Sequence, residues 1–144
     1  SPQQRRRYSA RLSGPLLDRI DLRLELQRPG ISDLNAAGET SAEVAARVLA
    51  ARERARHRWV AAETAWTINA DVPGPALRRG WPPDGEGERA LREALATGAM
   101  SLRGADRVLR IAWTLADLAG CTRPGLDEIG YAMSLRGEGS AWAA

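Results

Sequence analysis

The sequence predicts a mainly α-helical bundle preceded by one short strand-bearing segment. Two helical signals support the first part. Residues 41–62 form a long Ala-rich run behind a Thr40-x-x-Glu43 capping box, and residues 102–119 carry a continuous apolar stripe set between a serine and a glycine. The strand comes from residues 20–26, where Ile20, Leu22, Leu24 and Leu26 alternate with Asp21, Arg23 and Glu25. That period-two pattern is the mark of a half-buried strand.

In chain order, residues 2–11 are basic without a strong apolar period and read as a helix that packs only against further protein. Gly14-Pro15 breaks the chain ahead of the strand and leaves Arg19 at a tight reversal. Residues 29–39, with Pro29, Gly30, Asn35 and Gly38, read as a linker between a first segment, 1–28, and a helical domain, 40–137. In the first long helix Ala45, Val48, Leu49, Arg52 and Ala55 fall at helical spacing. Residues 66–72 fit a short strand or an extended connector, stopped by Pro73-Gly74-Pro75. Pro75 suits the first turn of a short helix reaching Arg79, because a proline there loses no intrahelical hydrogen bond.

Residues 80–87 read as a loop, and 88–97 as a helix ended by Gly98 in a left-handed conformation. Ser101 is the N-cap of the next helix and Gly120 its stop. Its core face holds Leu102, Ala105, Val108, Leu109, Ala112, Leu115, Ala116 and Ala119; the other side holds Arg103, Arg107 and Arg110, with Asp106 and Arg110 spaced as an ion pair. A last helix over 125–135 directs Leu126, Ile129, Tyr131 and Met133 to the core, and 138–144 reads as a flexible tail.

At 144 residues the chain can bury a core without disulfide or metal staples. Cys121 is the only cysteine, so no intrachain disulfide or Cys-rich zinc site forms. With the only histidine, His57, in a different helix, Cys121 reads as a small packing residue, and His57, lacking a ligand partner at i+4, as structural or exposed. No run of about 18 apolar residues and no signal-peptide core occur, which points to a cytoplasmic protein with no membrane contact. The tryptophans fall in separate elements and read as packing residues, with Trp113 set against a neighbouring element or subunit. Arg52, Arg54, Arg56 and Arg58 read as a solvated basic face, the alternative being salt-sensitive phosphate attraction that a net charge of +3 does not demand. All 21 basic residues are arginines, so the lysine of a Walker A P-loop is missing.

The stretch Leu12-Ser13-Gly14-Pro15-Leu16-Leu17-Asp18-Arg19-Ile20-Asp21-Leu22 resembles the arginine-finger segment of the AAA+ ATPases related to the magnesium chelatase I subunit, with wording closest to the branch called YifB or ComM. Asn69-Ala70, Leu102-Arg103-Gly104 and the run from Val108 through Ala112-Trp113-Thr114 to Ala119-Gly120 resemble the C-terminal region of that family in the same order. The resemblance implies a helical AAA+ lid-type bundle preceded by a strand-containing remnant of the AAA+ core, as the C-terminal piece of a longer ATPase. It further implies ATP and Mg2+ as cofactors of the full-length parent, with none bound to this piece, which is expected to be inactive alone. The partners it implies are the other subunits of a ring homo-oligomer, a hexamer, and the substrate is DNA, as in branch migration during recombination. A chelatase motor for metal insertion into a tetrapyrrole is the related alternative. A free-standing helical interaction or nucleic-acid-binding module is the different one.

Two arginines take roles from this resemblance. Arg19 occupies the arginine-finger position, acting in trans on the γ-phosphate of the next subunit, where a rigid, always-ionised fork of donors suits the developing charge. Arg103 occupies the sensor 2 position, reaching the nucleotide of its own subunit from a helix start. The plain readings are a surface or salt-bridged Arg19, and an Arg103 that shares a solvated face with Arg107 and Arg110. Asp18 and Asp21 flank Arg19 and are expected to orient it.

Overall fold

The computed structural model of the chain describes residues 19–24, 26, 30 and 38–137. Among these, five α-helices follow one another: α1 (Ser41–Ala61), α2 (Gly74–Gly80), α3 (Gly85–Ala96), α4 (Leu102–Ala119) and α5 (Leu126–Leu135), with a 3₁₀ turn, Asn69–Asp71, between α1 and α2. The mainly α expectation is met. The helix read over 2–11, most of the 29–39 linker and the 138–144 tail lie outside the described residues.

The helix starts follow from capping chemistry. Thr40 and Glu43 close the capping box on α1: the Thr40 hydroxyl accepts the Glu43 N–H at 3.3 Å, and the Glu43 carboxylate accepts the Thr40 N–H at 2.7 Å. Ser101 accepts the Gly104 N–H at 3.0 Å to open α4, and Gly120 closes it in the left-handed region at φ +77°. Pro75 lies in the first turn of α2, as its fixed φ requires. The start of α3 needs correction. It begins at Gly85, three residues before the expected Glu88, because the Asp84 side chain accepts the Gly87 N–H at 2.8 Å and caps the helix inside the presumed loop.

Helix α4 is the centre of the bundle, packed against α1, α2, α5 and the 3₁₀ turn, while α3 leans on α5. Ala105, Val108, Leu109, Ala112 and Ala116 are fully buried along it, and small residues alternating with larger ones let four neighbours approach. Helix α2 lies so close that a Cβ added at Gly74 would overlap the Asp106 carboxylate, which pairs with Arg78. The expected Asp106–Arg110 pair therefore does not form; the Arg110 Nε donates to the Val72 carbonyl at 3.0 Å instead.

Several expected core positions shift. The buried stripe of α1 is Ala51, Ala55 and Trp59, while Val48 and Leu49 are exposed, because only the C-terminal half of α1 meets the bundle. Leu102 and Tyr131 are exposed, and Ala132 takes the place expected for Tyr131 in α5. Cys121 is exposed rather than packed. Residues 66–72 form a connector and not a strand.

The strand at 20–26 also needs correction. Residues 20–24 and 26 hold no strand conformation, and among the described residues no second strand runs alongside to complete a ladder. The alternation nonetheless has a structural meaning. Ile20, Leu22, Leu24 and Leu26 are exposed, from 38% at Ile20 to 89% at Leu26, while Asp21 and the Arg23 backbone reach the bundle.

Candidate functional site

Two polar assemblies, at opposite ends of α4, connect the parts of the molecule. The first is buried. The Arg58 guanidinium on α1 forks onto Asp117 near the end of α4, with Nη1 to Oδ1 at 2.8 Å and Nη2 to Oδ2 at 2.7 Å. This is the bidentate geometry that favours arginine over lysine. Asn69, in the 3₁₀ turn, fills every hydrogen-bonding position it has. Its Oδ1 accepts from Arg58 at 3.0 Å and from the Trp59 indole at 3.2 Å, and its Nδ2 donates to Asp117 at 2.9 Å and to the Thr114 hydroxyl at 3.1 Å. A buried charge pair is costly unless its remaining donors and acceptors find partners; Asn69 satisfies the Arg58 Nη2 and Asp117 Oδ2, while the Arg58 Nε stays buried without a hydrogen bond.

An aromatic cage surrounds that pair. Trp59 meets Trp66, Trp81 and Trp113 edge-to-face, with ring centroids 5.8, 5.2 and 6.5 Å away. The Arg58 guanidinium lies 4.1 Å from the centroid of the Trp113 ring, and the Trp113 indole donates to the Trp81 carbonyl at 3.1 Å. The tryptophans in the described residues are thus packing groups, as expected, and Trp113 packs inside its own domain. The basic run is committed within the chain at Arg54 and Arg58 only, since Arg52 is exposed and the Arg56 pair is open to water. Arg54 donates to the Asp117 carbonyl at 2.6 Å, Arg56 pairs with Glu53, and Arg58 is half of the buried pair. A guanidinium anchored this way is a poor donor to nucleic-acid phosphates. His57 is exposed.

The second assembly lies at the start of α4. Arg103 is exposed in the first turn, two residues after the Ser101 cap and beside the positive end of the helix dipole. Arg107, one turn on, donates to the Asp21 carboxylate at 2.6 Å. The almost fully buried Arg136, just past α5, lies 3.9 Å from the same Asp21 oxygen and donates to the Ile20 carbonyl at 3.2 Å. The Arg23 N–H donates to the Leu135 carbonyl at 2.6 Å. Arg19, exposed in a turn two residues before Asp21, is carried at the edge of this contact. Asp21 is therefore directed at the helical domain, whereas Asp18 lies outside the described residues.

Sequence reasoning singled out Arg19 and Arg103, named Asn69 and Asp117 only within the stretches that carry the resemblance, and missed Arg136. Asp117 interrupts the apolar stripe of α4 at a buried position, and its spacing from Thr114 was the available signal. Arg136 ends α5 with no pattern to mark it, since its partners come from more than a hundred residues away. The described side chains suited to phosphate are guanidinium groups, which fits the anion-binding part of a nucleotide site and no more. No helix of the described residues is long and apolar enough to cross a membrane.

Comparison with known proteins agrees with this architecture. The family model described as magnesium chelatase, subunit ChlI C-terminal, matches residues 38–136, and that of magnesium chelatase, subunit ChlI, matches residues 1–34. An uncharacterized protein of Mycobacterium tuberculosis is 48% identical over 137 residues, covering 94% of this chain and 27% of its own length. Competence protein ComM of Haemophilus influenzae is 36% identical over 143 residues, with the same two coverages, and the uncharacterized protein YifB of Salmonella typhimurium is 36% identical over 139 residues, covering 94% of this chain and 26% of its own length. The chain spans about a quarter of the length of these relatives. No solved structure matches it. With the ChlI C-terminal model matched over the whole helical bundle that α4 organises, the chain belongs to the magnesium chelatase subunit ChlI family.

Proposed function

We propose that this chain is the nucleotide-sensing lid region of a magnesium-chelatase-like AAA+ ATPase, in which Arg103 reads the nucleotide of its own subunit and Arg19 acts on the site of the next subunit in a ring. The observation that supports this best is the placement of Arg103 in the first exposed turn of the one helix that touches nearly every other element. A displacement at that turn has to move α1, α2 and α5 together, since close-packed interiors transmit strain. ATP, when bound with Mg2+, supplies the phosphoanhydride whose hydrolysis drives the cycle. Arg103 would bring a guanidinium and a helix N-terminus to its phosphates, and Arg19 would bring a second guanidinium from the neighbouring subunit. The similarity to the ComM branch favours DNA as the substrate of the motor over a tetrapyrrole system, and the internal commitment of Arg54 and Arg58 argues against a separate nucleic-acid-binding helix.

ATP turnover by the full-length gene product, with and without DNA, tests this reading. Arg19→Ala is expected to lose on the order of a thousandfold in rate, the lower end of what finger removal costs. Mixing with a P-loop-lysine variant restores turnover to Arg19→Ala and not to Arg103→Ala, because only the first acts across an interface. Stimulation by DNA supports the DNA motor. Wild-type turnover in both single variants refutes both assignments.

A further inference from the structure

The contact between residues 19–24 and the α4–α5 pair has a second meaning. Asp21 ties that segment to the bundle by charge: Arg107 on α4 at 2.6 Å and Arg136 after α5 at 3.9 Å converge on one of its oxygens. Arg107 follows Arg103 by four residues, so the two share a face and lie about 6 Å apart along the axis. Asp21 follows Arg19 by two residues. A short path of rigid parts thus runs from Arg103 through one helical turn and one ion pair to Arg19.

We propose that Asp21 is a positioning residue for Arg19, clamped by Arg107, so that the lid of one subunit sets where that subunit presents its finger to the next. The inference rests on the finger assignment made above and adds the link between the two arginines. Exposure shows what kind of role this is. The Asp21 side chain is 60% exposed, although Arg107 is only 14% exposed and Arg136 1%, and water on the carboxylate side screens the pair and limits its contribution to stability. Its value lies in direction. The buried Arg136 supplies an anchored cation that does not follow the solvent, and the Arg23–Leu135 backbone bond fixes the register of the segment, so Asp21 has one place to sit. When α4 tilts, Arg107 moves with it, and the two-residue spacing carries the shift to Arg19. A misplacement of this kind can cost a reacting group up to about a hundredfold without removing any catalytic atom.

Asp21→Asn and Arg107→Gln, singly and together, in the full-length gene product test the link. Each single change is expected to lower kcat about tenfold to a hundredfold while the KM for ATP stays within about twofold, because the finger is misplaced and not the bound nucleotide. The double variant is expected to be no worse than either single one, as for two residues acting through one contact. Mixing with a P-loop-lysine variant is expected to restore turnover to Asp21→Asn, as it does to Arg19→Ala. In the 144-residue chain, the Arg23 amide of Asp21→Asn is expected to exchange its hydrogen faster than in the wild type. Wild-type turnover in Asp21→Asn beside a defective, trans-rescued Arg19→Ala overturns the link and leaves the finger standing. Loss without recovery in the mixture overturns it too, since Asp21 then serves its own subunit's site. Unchanged exchange at Arg23 removes the clamp, and wild-type turnover in Arg19→Ala removes the finger and the link together.

Discussion

The two ends of α4 solve the same problem, holding an arginine against a carboxylate, with opposite intent. At one end Arg58 and Asp117 are withdrawn from water, roofed by indole rings and tied off by Asn69. At the other, Arg107 meets an Asp21 that is mostly in solvent and belongs to a segment far away in sequence. Burial makes the first pair intolerant of change. The second is open to water on its carboxylate side alone, so Asp21 can leave while Arg107 stays in its place on α4. In the lid role proposed above, a body that moves as one needs the first kind of joint inside it and the second kind at its edge.

The largest effect is expected from Asp117→Ala, which strands the Arg58 guanidinium and one Asn69 Nδ2 donor in the interior. Breaking such a pair from one side should destabilise the chain by about 3–5 kcal/mol, read by urea unfolding. A loss below about 1 kcal/mol would erase the contrast between the two ends, since it would price the buried pair like an exposed one. Gly74→Ala comes next. The added Cβ must expel the Asp106 carboxylate and with it the Arg78 pair, a cost of about 1–3 kcal/mol by overpacking, again read by urea unfolding. Asp21→Asn should change the same unfolding free energy by less than about 1 kcal/mol while lowering turnover, which is the sharpest form of the comparison.

The smallest effect concerns pH. Hydrogen bonds from the Thr40 backbone and hydroxyl hold the Glu43 carboxyl below its ordinary range, and the Arg47 guanidinium does the same to Glu39. A carboxyl whose folded pKa is depressed contributes stability at pH above its unfolded value and loses it as pH falls through the folded one. Amides in the first turn of α1 should therefore lose protection on acidification below the ordinary carboxyl range, ahead of those near Trp59, where the helix is held by packing. Simultaneous loss along α1 would show that its projecting half is as firmly held as its buried half.

What was legible in the sequence follows the range of the forces involved. Caps and stops act within four residues, so Thr40, Ser101, Gly98 and Gly120 could be read directly, and Asp84 was within reach had its side chain been weighed against the prolines beside it. Period told which helices were amphipathic but not how far each was covered, and this is why Leu102 and Tyr131 were placed on a core that ends short of them, while the helical spacing of Val48 and Leu49 said nothing of their exposure. Residues 20–24 show the limit most clearly. Their alternation predicts a half-buried strand, but no strand forms and the apolar residues are exposed, because a period-two pattern specifies two faces without saying what either will meet. The candidate site was legible in part: Arg19 and Arg103 stood out through resemblance, whereas Asp21, Arg107 and Arg136 meet only when the chain folds over more than eighty residues.

The tryptophan cage has an optical consequence. Trp59, Trp66 and Trp81 form a closed triangle of rings at 5.2 to 5.8 Å, and Trp113 adds a fourth at 6.5 Å from Trp59. At these separations indoles share excitation instead of absorbing independently, and their mutual tilts, from 61° to 87°, make the coupled transitions chiral. The near-ultraviolet circular dichroism of the chain is thereby an internal gauge of how α1 is seated on α4. It should stay constant in any rigid-body motion of the bundle and collapse only when the bundle itself comes apart, so a single spectrum separates movement from unfolding.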